Sequence, residues 1–157
     1  VEVDFRAIFR YCLDDPDDEV RAMAVEGLWE DDRISLIAPL AHLMEDDPSV
    51  RVRASAASAL DKYVLMGELN RLAEGYTAFV RHALIRIIRL TAEDLEVRRR
   101  AVESISFAGD EEVGSIIEAA YCDPEEKMRI SAIFAMGRNA DPRWQATVLG
   151  ELANPNP

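Results

Sequence analysis

The sequence predicts an all-α chain built as a stack of repeated helix pairs. Three observations carry this. The composition is 49% hydrophobic, ample for a core, while β-branched runs and two-residue hairpin signals are scarce. The seven Gly and seven Pro fall mostly between stretches of helical periodicity. One turn-and-helix unit also recurs along the chain, most completely in PLAHLMEDDPSVRVRASAASAL at 39–60.

Alignment on the opening of the second helix of each unit exposes the repeat. Asp15-Pro16 leads to Val20-Arg21, then Ala24, Gly27 and Leu28. Asp47-Pro48 leads to Val52-Arg53, then Ala56, Ala59 and Leu60. Glu93-Asp94 leads to Val97-Arg98, then Ala101, Ser104 and Ile105. Asp123-Pro124 leads to Met128-Arg129, then Ala132, Ala135 and Met136. Apolar or small residues stand at +4, +7 and +8 in each copy, which is one face of a helix. The spacings are 32, 45 and 31 residues, and Asn154-Pro155 lies 31 residues beyond Asp123-Pro124.

First helices are predicted over 4–14, 33–45, 76–90 and 110–121, with a further one over 144–152 opened by Asp141-Pro142. Proline at the first helical position lacks only an N–H that would be unpaired there. The Asp-Pro turns stop one helix and place Asp17, Asp18, Glu19, Glu125 and Glu126 at the positive end of the next. The units are therefore about 4–30, 33–66, 76–108 and 110–139, with a half unit at 142–153, in one array over 1–157. The extra length of the second spacing lies at about 61–75. There the reading is an extended second helix, a break at Gly67, and one or two added turns with Leu69 and Leu72 on one face. This insertion is expected to elaborate the packing at the solenoid edge, with a recognition protrusion as the alternative.

Pro39, Asp47 and Arg53, at gaps of eight and six, together with the Asp15/Arg21 and Asp123/Arg129 pairs and the Val-Arg-x-x-Ala-x-x-Ala-Leu runs, resemble HEAT repeats. The likeness is to the bacterial and archaeal kind described as similar to phycobilisome-lyase repeats. It covers nearly the whole chain. The third unit departs from the pattern, with Ala92 where the turn Asp belongs and no Pro after it. The resemblance implies a right-handed α-solenoid of about four and a half antiparallel pairs, with second helices lining the concave surface. It also implies a hydrogen-bonded ladder of Asp15, Arg21, Asp47, Arg53, Arg98, Asp123 and Arg129 between neighbouring units, a structural role suited to carboxylate and guanidinium.

The net charge of −12 disfavours nucleic acid or an anionic membrane as main partner. Charge is uneven along the chain. Residues 1–48 carry 14 acids and 4 bases (−10), residues 49–108 carry 7 and 10 (+3), and residues 109–157 carry 9 and 4 (−5). No apolar run approaches the about 20 residues of a membrane span. No secretory signal is visible, so a cytoplasmic setting is expected. Cys12 and Cys122 are isolated and read as reduced thiols.

His42 and His82 lack any partner at metal-ligand spacing, the glycines form no phosphate loop, and nothing pairs two carboxylates across a cleft. No catalytic residue, metal or cofactor is therefore assigned. Repeat proteins bind through extended surfaces. The expected function is a non-catalytic scaffold that holds a partner protein, or a neighbouring part of its own longer chain, along the second helices. The alternative implied by the resemblance is a chromophore-handling subunit like the phycobilin lyases. Candidate contacts are Met23, Glu26 and Glu30; Ser55, Ser58 and Lys62; Arg99, Arg100, Glu103 and Phe107; and Ser131, Phe134 and Arg138. The uneven charge reads first as a solvated surface, with a basic middle band that receives an acidic segment of a partner as the sharper alternative. Phe107 and Phe134 could equally close the core between units. Trp29 and Trp144 read as packing residues at unit junctions, with a binding anchor as the alternative for either. Val148, Leu149 and Leu152, with no helix following to cover them, suggest a longer parent chain.

Overall fold

The computed structural model of the chain describes residues 5–153. Asp4 and the Asn154-Pro155 signal lie outside them. Helix α1 (Phe5–Tyr11) runs on as a 3-10 turn, Cys12–Asp14, and pairs with α2 (Asp18–Gly27). A 3-10 turn at Ile34–Leu36 opens α3 (Ile37–Asp46), which pairs with α4 (Val50–Ala59), and α5 (Asp61–Glu68) follows directly. Helix α6 (Glu74–Arg89) pairs with α7 (Leu95–Ile105), and α8 (Glu111–Tyr121) with α9 (Glu126–Asn139). A last 3-10 turn, Pro142–Trp144, opens α10 (Gln145–Leu152). Among the described residues there is no strand, and the pairs stack as an all-α solenoid.

Turn chemistry starts the helices. Asp17 accepts from the N–H groups of Glu19 (2.9 Å) and Val20 (3.4 Å). Asp94 accepts from Glu96 N–H and Asp110 from Val113 N–H. Asp141 accepts from Arg143 N–H ahead of Pro142. Each carboxylate satisfies a donor that the helix cannot.

The second helices form a continuous row, α2 on α4, α4 on α7, and α7 on α9. Small residues permit it. Ala22, Ala24, Ala56, Ala57, Ala101, Ala132 and Ala135 are all buried, so backbones approach closely without a cavity. The +4 and +8 residues of every copy are buried, Leu28, Leu60, Ile105 and Met136 among them. First helices meet more sparsely, chiefly α3 on α6. Gly27 is required by the first pairing, because a Cβ there would lie 2.7 Å from the Phe9 ring.

Three polar groups, two buried and one half-buried, tie units together. Asp31 is held by Arg10 at 2.5 Å and flanked by Arg33. Tyr63, fully buried, donates to the Arg33 carbonyl at 2.8 Å, and burial pushes its hydroxyl far above the usual tyrosine value. Asn139 donates to the carbonyls of Ser106 and Ala108 and accepts from the Trp144 indole N–H. It thereby joins the end of α7 to the last turn. Trp144 is a buried packing residue.

The insertion differs from the sequence reading. The helical run breaks at Leu60, between α4 and α5, and Gly67 lies inside α5. The stop comes at Asn70, left-handed at φ 54°. Asn70 N–H donates to Gly67 O and Arg71 N–H to Met66 O, a paired C-terminal cap. No helical turn follows before α6. Leu72 is buried while Leu69 is exposed, so they do not share a face.

Candidate functional site

Two sets of polar residues mark the second helices, one at their N-terminal ends and one along their exposed side. At the N-terminal ends, Arg21 forks onto Asp47 through Nε (2.8 Å) and Nη2 (2.9 Å), while Nη1 donates to the Asp15 carbonyl. Arg53 repeats this geometry with Glu93, at 3.1 and 2.8 Å, and donates to the Asp47 carbonyl. Glu93, one methylene longer than Asp and one position later than Ala92, reaches the guanidinium. Burial pushes the Asp47 carboxyl up, but hydrogen bonds from Arg21 and the Ser49 N–H and the charges of Arg21 and Arg53 outweigh it, leaving the group below its ordinary value. Arg129 donates to the carbonyls of Asp123 and Pro124.

Arg98 stands apart from the ladder expected for it. Its Nε donates to the Ile88 carbonyl at 3.1 Å, and among the described residues no carboxylate pairs with it. Asp123 accepts from the Glu125 N–H, the same turn bond that Asp15 and Asp47 make. Arg98 is preceded by a Glu-Asp turn without proline, and it reaches a carbonyl ten residues back where Arg21, Arg53 and Arg129 reach carbonyls five and six residues back.

Along the exposed side runs an open groove of about 930 Å³, bounded by α2, α4, α5, α7 and α9. Ala54, Ser55, Ser58 and Ala59 of α4 lie in it, with Trp29 and Glu26 on one side and Phe107, Arg100 and Arg138 on the other. Small α4 side chains leave the space that the larger flanking residues frame. Trp29 is 71% exposed, which corrects its reading as a packing residue. Helix α2 ends at Gly27 with Leu28 buried, so the next side chain turns outward.

Of the candidate contacts, Glu26, Ser55, Ser58, Lys62, Arg100, Phe107 and Arg138 line this groove. Met23 and Phe134 are exposed outside it, and Glu30 is exposed beyond the end of α2. Ser131 is a correction. It is fully buried, donates to Glu103 (2.6 Å) and is held by Arg99 (3.1 Å), so no partner can touch it. Ser131 sits at +3 from Met128, and close packing of α9 on α7 covers that position.

The free basic band is likewise corrected. Arg99 and Arg100 each pair with both Glu96 and Glu103 of the same helix, at i, i+3 and i, i+4 spacing. The two guanidiniums and two carboxylates neutralise one another. Burial pushes the Glu96 carboxyl up, but Arg99 and Arg100 outweigh it and hold it low. Burial alone would lower Arg100, and the two glutamates raise it instead. Lys62 donates to the Leu28 carbonyl at 2.8 Å, capping the end of α2. Burial lowers its ammonium, against the opposing pull of Asp31, Asp61 and Asp32.

Arg138 combines ion pairing with ring stacking at the groove edge. It donates to Asp61 (2.8 Å), and its guanidinium lies 3.9 Å from the Phe107 ring and 5.3 Å from that of Phe134. Sequence reasoning missed Arg51 as a groove residue, and it held Trp29 as an anchor and the insertion that contains Asp61 and Leu65 as a recognition element only as alternatives. For Trp29 the available signal was its place one residue past the +8 core position.

Among the described residues, no three His, Cys, Asp or Glu side chains are placed to hold a metal ion, and no helix is long and apolar enough to cross a membrane. Comparison with protein families matches residues 7–88 to HEAT repeats, in general and not specifically to the phycobilisome-lyase kind. No curated protein matches the chain. The match covers units one and two and the first helix of the third, where the closed rungs begin, and the chain belongs to the HEAT repeats family.

Proposed function

We propose that the chain is a non-catalytic scaffold that holds a partner protein in the groove along its second helices. HEAT repeats generally mediate protein–protein interaction. The observation that carries the reading is the groove itself. It offers about 930 Å³ of open, mostly apolar space with a 71% exposed Trp29 at its edge. Aromatic residues and arginine are the side chains that dominate interface energetics, and Trp29, Phe107 and Arg138 frame this cleft. Arg100 and Arg138 are each paired with a carboxylate, so the groove presents no open row of cations for a phosphate backbone.

A photo-crosslinking amino acid in place of Ser58, on the groove floor, tests this against the same group in place of His82 on α6. The expected result is a covalent adduct with a partner protein from Ser58 alone. Trp29→Ala should weaken capture by about tenfold or more, the range of an aromatic anchor. Equal adducts from both positions, or capture indifferent to Trp29, would refute the groove as the binding face.

A further inference from the structure

The fourth helix pair is fastened to the array differently from the others. The first two joints are each closed by a forked Arg–carboxylate rung, Arg21 on Asp47 and Arg53 on Glu93. At the third joint the rung is open. Arg98 turns to the Ile88 carbonyl, Asp123 keeps the turn bond from the Glu125 N–H that Asp15 and Asp47 also make at their own turns, and both line a pocket of about 540 Å³ with Val102 and Met128.

At the other end of the same helices the fourth pair has a contact of a different kind. Arg138 of α9 bonds Asp61 of α5, 77 residues away and in the second unit, passing over α7. In a solenoid each repeat ordinarily touches only its neighbours. Both residues line the groove. The pair is partly exposed, at 21% and 34%, so water and salt weaken it. The Arg138 guanidinium also lies against the Phe107 and Phe134 rings and donates to the Glu103 carbonyl at 3.4 Å.

We propose that the α8–α9 pair is a two-position joint that sets the width of the groove. In one position the Asp61–Arg138 latch is fastened and the third rung is open, as in this structure. In the other the latch is released, the pair swings into the space of the third-joint pocket, and Arg98 exchanges the Ile88 carbonyl for the Asp123 carboxylate. Packed interfaces pass between discrete arrangements of this kind and do not deform continuously. The regulatory meaning rests on the groove being the docking face; the movement itself does not, and it is measured without any partner.

The experiment places spin labels at Ala38→Cys on α3 and Glu118→Cys on α8, with Cys12→Ala and Cys122→Ser removing the native thiols. Inter-label distances are read by pulsed electron resonance. The latched protein should give one main distance. Asp61→Asn should shift a substantial fraction to a second distance, and Arg138→Gln should do the same independently. Adding Asp123→Asn to either should abolish the second distance, since the released pair then has no rung to close, while the Asx bond to Glu125 can still form. A single unshifted distance in folded Asp61→Asn and Arg138→Gln would overturn the proposal. So would a second distance indifferent to Asp123→Asn, or loss of helical signal in both latch variants, because the released state must remain folded. Failure here with intact crosslinking from Ser58 would leave a rigid groove. The reverse result would leave a moving joint whose groove binds nothing.

Discussion

Arg53 divides one guanidinium between two neighbours, giving Nε and Nη2 to Glu93 and Nη1 to the Asp47 and Pro48 carbonyls. The Glu93 side chain is only 7% exposed, so removing Arg53 strands a carboxylate that water barely reaches. Arg53→Ala should therefore destabilise by about 1–3 kcal/mol, read as a lower urea midpoint; a midpoint equal to that of the parent would rule out the rung as a stabilising contact. Asp47 makes a separate prediction. Its folded value is depressed below 3.8 by Arg21, Ser49 N–H and Arg53, despite burial. The unfolded chain then binds more protons as pH falls, so this contribution is fully present above the unfolded value and is lost as pH drops through the folded one. Urea midpoints measured between about pH 5 and pH 3 should fall, and Asp47→Asn should start lower and fall less steeply. At this scale the resemblance to HEAT repeats implied arginine and aspartate as ladder partners, whereas the six-residue gap marks the arginine bond to the Asp carbonyl of its own turn. The sequence offered both Glu93 and Asp94 in place of the missing turn Asp, and the structure pairs Glu93 with Arg53. It could not show that Ser131 is sealed, because that depends on how near α7 and α9 come.

The break in the second unit is an element-scale matter. Helical periodicity continues smoothly from 50 to 68, so the Leu60 joint leaves no trace in the pattern. Gly67 looked like the breaker, yet glycine is tolerated inside helices, and here it serves close packing of α5 on α6. A Cβ on Gly67 would lie 2.3 Å from Thr77 Cγ2 and 2.7 Å from its Oγ1. Thr77 is β-branched and stiff, so it cannot swing aside cheaply. Gly67→Ala should destabilise by about 1–3 kcal/mol through overpacking, and Thr77→Ala in the same chain should recover most of the loss in melting temperature. Destabilisation that persists in the double variant would point to the α5 backbone instead. Helix α7 teaches a related lesson. Its run of three arginines reads as a basic band in one dimension, whereas on the helix Glu96 and Glu103 stand one turn from Arg99 and Arg100 and neutralise them.

For the whole molecule, the repeated Val-Arg openings and their +4 and +8 faces carried the helix pairs, their order and the small-residue interior of the row. Repeats make this legible because each unit restates the same packing problem. The groove was only half legible. Residues on second helices could be assigned to an exposed phase, but the cleft also depends on α5 running on past Leu60 and on Trp29 turning outward beyond α2. Both are consequences of where helices end, which periodicity locates poorly. The Asp61–Arg138 contact, spanning two units, had no sequence signature at all.

The two tryptophans give the molecule a built-in pair of optical reporters. Trp29 is 71% exposed at the edge of the groove, while Trp144 is 6% exposed, with its indole N–H on Asn139 and the Arg143 guanidinium 4.6 Å from its ring. Their fluorescence is therefore separable by a quencher dissolved in water. The quenchable fraction belongs to the groove, and the protected fraction belongs to the junction between α9 and the last helix. Occupancy of one end of the array and integrity of the other can be followed in a single unlabelled sample.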